Sequence, residues 1–103
     1  MDVTFYSSTV KNSLFALEKS TISKALKQIQ LLKSFGNKLG MPYSKRIGKN
    51  LFELRVHGQQ EARLLYFYHQ QHVVIIHIFI KKTQKTPRKE IDLATKRIRD
   101  LCP

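Results

Sequence analysis

Val73-Val74-Ile75-Ile76-His77-Ile78-Phe79-Ile80, continuing into Lys81-Lys82-Thr83-Gln84-Lys85-Thr86-Pro87-Arg88-Lys89-Glu90-Ile91-Asp92, is the stretch that decides the fold. A β-branched apolar run broken by one histidine reads as a buried strand. Pro87 then suits the first turn of a helix, Glu90 and Asp92 lie near its positive end, and Ile91, Ala94, Ile98 and Leu101 share one face. Lysines that leave a buried strand and run into a helix start form an anion-binding junction, held rigidly from both sides.

Upstream, Leu51 to Val56 and Ala62 to Tyr68 are two further strand candidates, and the connections 57–61 and 69–72 have hairpin length, which predicts an antiparallel meander ending in Val73 to Ile80. Asp2 to Tyr6 alternates and adds a short strand. The expected sheet is therefore four-stranded, twisted and mainly antiparallel. Between its first strand and the meander, Ser7 or Ser8 caps a helix carrying Val10, Leu14 and Leu17. Ser20-Thr21 caps a second, with Ile22, Leu26, Ile29, Leu32 and Phe35 as its apolar stripe, Lys24, Lys27 and Gln28 off it, and Gly36-Asn37 as its stop. Lys38 to Asn50, with Gly40, Pro42, Gly48 and Asn50, reads as a basic loop.

The chain has 103 residues, enough for a single domain over 1–103 with a modest core. Its 19 Lys and Arg against 7 Asp and Glu give a net charge of +12 at 42% hydrophobic content, the signature of a folded protein with a polyanionic partner. No carboxylate falls between Glu18 and Glu53, or between Glu61 and Glu90. Two basic zones of this kind favour nucleic acid over an acidic protein or a membrane surface. Cys102 alone forms no internal disulfide, and no signal or membrane-spanning segment is present, so a reducing, cytoplasmic setting is expected. His57, His69, His72 and His77 lack ligand spacing, which argues against a metal site, and no phosphate loop or nucleophile elbow is present.

Strand alternation distributes the cations. Glu53 and Arg55 share one face and Phe52, Leu54 and Val56 the other, while Ala62 to Tyr68 is apolar on both sides. Arg55 and Arg63 meet if their strands are neighbours and both face the same way. His77, Phe79 and Lys81 form one set and Ile76, Ile78, Ile80 and Lys82 the other, so Lys81 joins the arginines only if Lys82 points away. Arg55, Arg63 and Lys81, with Lys45 and Arg46 from the preceding loop, then converge on a phosphate. The plainer reading is a solubilising face on which Glu53 pairs with Arg55 or Arg63. Tyr66 and Tyr68 are candidate phosphate or base contacts, and His77 is expected to be a hydrogen-bonded, half-buried residue.

The run Phe79-Ile80-Lys81-Lys82-Thr83-Gln84-Lys85-Thr86-Pro87 with Glu90-Ile91 and Ala94, preceded by Leu39-Gly40-Met41-Pro42 with Lys45, by Leu51-Phe52-Glu53-Leu54-Arg55 and by Arg63 with Tyr66, resembles the RelE/ParE superfamily of bacterial toxins, in its HigB-like, phage-derived branch. The resemblance implies an α+β fold of the RelE type, with two N-terminal helices on a twisted sheet and a C-terminal helix. It also implies the toxin half of a type II toxin–antitoxin pair, a helix-turn-helix antitoxin as partner, and cleavage of mRNA in the ribosomal A site in contact with ribosomal RNA.

That chemistry is attack of an RNA 2′-hydroxyl on the adjacent phosphate, with no metal or other cofactor and no membrane involved. By the resemblance Arg55, Arg63 and Lys81 are the catalytic candidates, with Lys45, Arg46, Tyr66, Lys82 and Lys85 as RNA contacts. Two alternatives stay open. A ParE-like gyrase poison would share the fold, and a non-catalytic RNA- or ribosome-binding module would need little beyond the charge.

Overall fold

A computed structural model describes all of residues 1–103. In chain order it contains β1 (Val3–Phe5), α1 (Ser8–Phe15), α2 (Lys19–Phe35), a 3-10 turn at Gly36–Lys38, β2 (Ser44–Gly48), β3 (Leu51–Val56), β4 (Ala62–His69), β5 (His72–Ile80) and α3 (Arg88–Leu101). The strands form one sheet in the order β1-β5-β4-β3-β2. Only β1 pairs in parallel, against β5; the other neighbours are antiparallel. No helix is long and apolar enough to cross a membrane.

The sheet has five strands where four were expected. The additional strand is β2, inside the segment read as a basic loop: Ser44, Lys45 and Arg46 pair with Leu54, Glu53 and Phe52, and a bulge before Gly48 completes the turn into β3. Its turn-forming residues mark the two ends of the strand, and three polar residues at an exposed edge give no apolar alternation to read.

Both faces of the sheet are covered, which settles why β4 is apolar on both sides. Val10, Leu14, Ala25, Ile29 and Leu32 of α1 and α2 pack on Leu54, Val56, Leu64, Tyr66, Val73 and Ile75. On the opposite face Ala94 of α3, with Ile91 and Ile98, packs on Leu51, Leu65, Phe67, Val74 and Ile76. A register shift lies between β4 and β5, where Tyr66 pairs with Ile75 and Leu65 with His77. Ile76 is the extra residue. It therefore lies on the α3 face beside His77 and not on the opposite one, which corrects the strict alternation expected along β5.

Ser7 caps α1, its hydroxyl accepting from Val10 N–H at 3.2 Å. In α2 the buried face is Thr21, Ala25, Gln28, Ile29 and Leu32, while Leu26 and Phe35 are exposed. The expected stripe is thus rotated. Gln28 turns inward because its amide donates to the Arg55 carbonyl at 2.6 Å, a tertiary bond that hydropathy spacing does not register.

Candidate active site

Arg55 and Arg63 are direct cross-strand partners on β3 and β4. Like charges placed so closely repel unless an anion lies between them. Glu53 supplies it: its Oε1 is 3.8 Å from Arg55 Nε and 3.7 Å from Arg63 Nε, and the carboxylate is 2% exposed. These are ion contacts, since neither Nε makes a hydrogen bond. The other Glu53 oxygen accepts the hydroxyl of Thr86, which ties the segment after β5 down onto β3.

Where β5 ends, Lys81 N–H donates to the Glu61 carbonyl at 2.7 Å, so the basic segment is hydrogen-bonded to the β3–β4 connection. That connection is itself anchored by α2. Glu18 N–H donates to the Gln60 side chain at 2.9 Å and Lys24 Nζ donates to the His57 carbonyl at 3.0 Å. Between the two segments opens a cleft of about 570 Å³ lined entirely by polar residues: Arg55, His57, Glu61, Arg63 and Lys81 to Gln84. Four cations face one carboxylate there.

That carboxylate is shared. Glu61 Oε1 lies 2.7 Å from His57 Nδ1 and 3.4 Å from Arg63 Nη2. Partial desolvation alone would raise its pKa, but the hydrogen bonds and charges of His57 and Arg63 outweigh this and hold it below the ordinary carboxylate value. The chain Arg63–Glu61–His57 presents an oriented imidazole to the cleft beside Arg55 and Lys81. Such an arrangement can bind a phosphodiester, offset charge that builds on its oxygens, and exchange a proton with a bound hydroxyl.

A family model for phage-derived Gp49-like proteins (DUF891) matches residues 12–99. The chain belongs to the Gp49-like family. This agrees with the motif resemblance, which pointed to a phage-derived family of the RelE/HigB type. The Gp49-like fold is also similar to that of a chain in the crystal structure of the heterotetrameric YoeB-YefM toxin–antitoxin complex from Staphylococcus aureus, with a TM-score of 0.58 and 16% identity over 81% of this chain and 97% of that one. No curated protein matches the sequence.

In this Gp49-like protein the three catalytic candidates do come together, but not as equals. Arg55 is half-buried with Nη1 near Met41 Sδ at 3.6 Å, and Lys81 is half-buried at the mouth. Arg63 is 3% exposed and already held by two carboxylates and by the Ala62 carbonyl, so the expectation of a free phosphate-binding cation is corrected: it forms the cleft wall and orients Glu61. Lys82 lines the cleft together with Lys81, contrary to the expectation that one excludes the other, because the strand ends at Ile80 and alternation ends with it.

The remaining RNA candidates fall outside the cleft. Tyr66 is 1% exposed, buried on the opposite face against Phe52, with its hydroxyl 2.5 Å from Ser44 Oγ and its pKa driven up by burial, so its assignment as an RNA contact is overturned. Its neighbours on a strand that is buried on both sides leave it no route to solvent. Arg46 is registered with Phe52, away from Glu53, and its guanidinium is spent on the Gly48 and Lys49 carbonyls. Lys45 is exposed and registered with Glu53, on the cleft's side of the sheet but beyond its lining. Lys85 is exposed on the segment after β5 and does not line the cleft.

His77 bonds Glu90 of α3 at 3.0 Å and stacks on Phe79, the half-buried interior role expected of it. Reading the sequence missed His57, Glu61, Thr83 and Gln84. For the first two a signal exists: His57 and Glu61 end a charged hairpin connection whose strands carry the paired arginines.

Proposed function

We propose that this protein is the toxin half of a toxin–antitoxin pair and cleaves mRNA on the ribosome without a metal. The observation that carries the reading is the convergence of Arg55, Lys81 and the Arg63-oriented Glu61–His57 pair in one polar cleft on a chain of net charge +12. Membership of a family of the RelE/HigB type supports it, as does a fold shared with a chain from a toxin–antitoxin complex. Lys82, Lys85 and Lys45 surround the cleft as contacts for mRNA or ribosomal RNA.

In this reading the 2′-hydroxyl oxygen of one nucleotide attacks the adjacent phosphorus and its proton passes to the cleft's base. His57 is the group best placed for that step, because an imidazole nitrogen can accept or donate a proton and Glu61 fixes the ring's orientation. Arg55 and Lys81 offset the negative charge gathering on the phosphorane oxygens. The bond from phosphorus to the 5′-oxygen breaks, that oxygen takes a proton, and the products are a 2′,3′-cyclic phosphate and a 5′-hydroxyl end.

Inducing the chain without its antitoxin and mapping mRNA 5′ ends tests the reading. New 5′-hydroxyl ends inside translated messages are expected, and Arg55→Ala should lower their rate of formation by about 10²–10³-fold, the cost of losing one oxyanion donor. Growth arrest with intact messages would overturn it, and trapped DNA breaks would point to a gyrase poison instead.

A further inference from the structure

Apart from the cleft, residues of β1, α1 and α2 line a groove of about 550 Å³ beside the β1 edge of the sheet. Its floor is apolar, made by Val3 and Phe5 of β1 with Leu14 and Ile29, and Phe15 and Leu26 stand exposed on its walls. Its charged residues are Lys11, Lys27 and Lys33, with no carboxylate among the lining side chains. Exposed Leu26 is left over from the rotated stripe of α2, and exposed Phe15 ends α1 at a position that the core does not use.

The adjoining edge is open in the same place. Asp2 and Tyr6 exchange backbone bonds with β5, Val73 N–H donating to the Asp2 carbonyl and Tyr6 N–H to the Ile75 carbonyl. In a parallel ladder alternate residues serve a given neighbour, so the N–H and C=O of Val3 and Phe5 are directed to the free side. An edge of this kind, next to a pocket for alternate side chains, is the arrangement used in strand addition.

We propose that this edge and groove form a docking site for an extended, acidic, amphipathic segment of a partner protein, which pairs with β1, places alternate apolar side chains in the groove and sets its carboxylates against Lys11, Lys27 and Lys33. The apolar floor favours protein over RNA, whose phosphates and sugars would desolvate Phe5 and Leu14 poorly, and the all-cationic rim selects acidic sequence. The partner rests on the toxin–antitoxin reading: it is the antitoxin. Docking here leaves the Arg55–Lys81 cleft uncovered.

The test uses the full chain and, as probe, the purified product of the reading frame adjacent to its own. Its affinity is compared for the natural chain, Lys27→Glu/Lys33→Glu, Leu26→Glu, and the cleft variant Lys82→Ala, at high salt where long-range charge is screened. Expected is a loss of roughly tenfold or more in both groove variants, none in Lys82→Ala, and slowed exchange of the Val3 and Phe5 amides in the complex. Natural affinity in the groove variants, protection confined to the cleft, or no complex at all would overturn the proposal. So would an equal loss of affinity for a short single-stranded RNA. Partner binding lost on groove reversal, with no RNA cleavage by the natural chain, would leave the docking site standing and remove the nuclease reading.

Discussion

Glu53 is the residue on which the cleft depends, although it faces no solvent. It lies between two arginines that would otherwise repel across the β3–β4 pair, and it holds Thr86 of the segment that carries the lysines. Removing one member of a buried ionic set leaves the others uncompensated, so Glu53→Gln is expected to destabilise the fold by about 3–5 kcal/mol in denaturant titration. Glu61 behaves differently because it is half-exposed at the mouth. Its pKa is lower folded than unfolded, so its interactions stabilise the protein above the ordinary carboxylate pKa, about 4.3, and the contribution disappears as pH falls through the depressed folded value. The stability difference between the natural chain and Glu61→Gln should therefore be full at neutral pH and shrink in acid. Denaturation midpoints measured across the acid range check this.

At the scale of elements, two hairpin features decide what faces where. The extra residue at Ile76 lets β5 bury Val74 and Ile76 against α3 with half-buried His77 on the same face, and it brings Phe79 into register with Arg63. The β4–β5 turn passes through Gln70 and Gln71 at φ of 50° and 66°, left-handed conformations that side chains with a Cβ adopt at a cost. Asn-Gly is the pair that suits such a turn. Gln70→Asn with Gln71→Gly is expected to stabilise the protein by about 1 kcal/mol, read as a raised thermal midpoint. Helix α2 acts on the site at a distance, since Lys24 and the N–H of Glu18 fix the connection bearing His57. The cap read at Ser20-Thr21 lies inside α2, which begins at Lys19, but the start of α1, the end of α2 and the start of α3 were legible in the sequence through Ser7, Gly36 and Pro87. The rotation of α2 was not, because Gln28 is drawn inward by a backbone carbonyl of β3.

Over the whole molecule, with its net charge of +12, two unlike basic surfaces stand out: a polar cleft of four cations around Glu61, and an apolar groove rimmed by three lysines. Binding of single-stranded RNA at the cleft should weaken with salt. For three or four phosphates engaged, a plot of log affinity against log salt is expected to have a slope of roughly −2 to −3, and Lys82→Ala should make it shallower; filter-binding titrations measure both. The α+β class, the meander and the terminal helix follow from the sequence alone, because they rest on local periodicity and on turn residues; strand alternation offered the meeting of Arg55, Arg63 and Lys81 only on condition that neighbouring strands face the same way. Tertiary structure alone decided that Tyr66 is core, that Arg63 is wall and already paired, that both Lys81 and Lys82 reach the cleft, and that His57 stands beside them. Those outcomes depend on a bulge, a strand end and a buried carboxylate, each fixed by contacts between residues far apart in the chain, which no local pattern encodes.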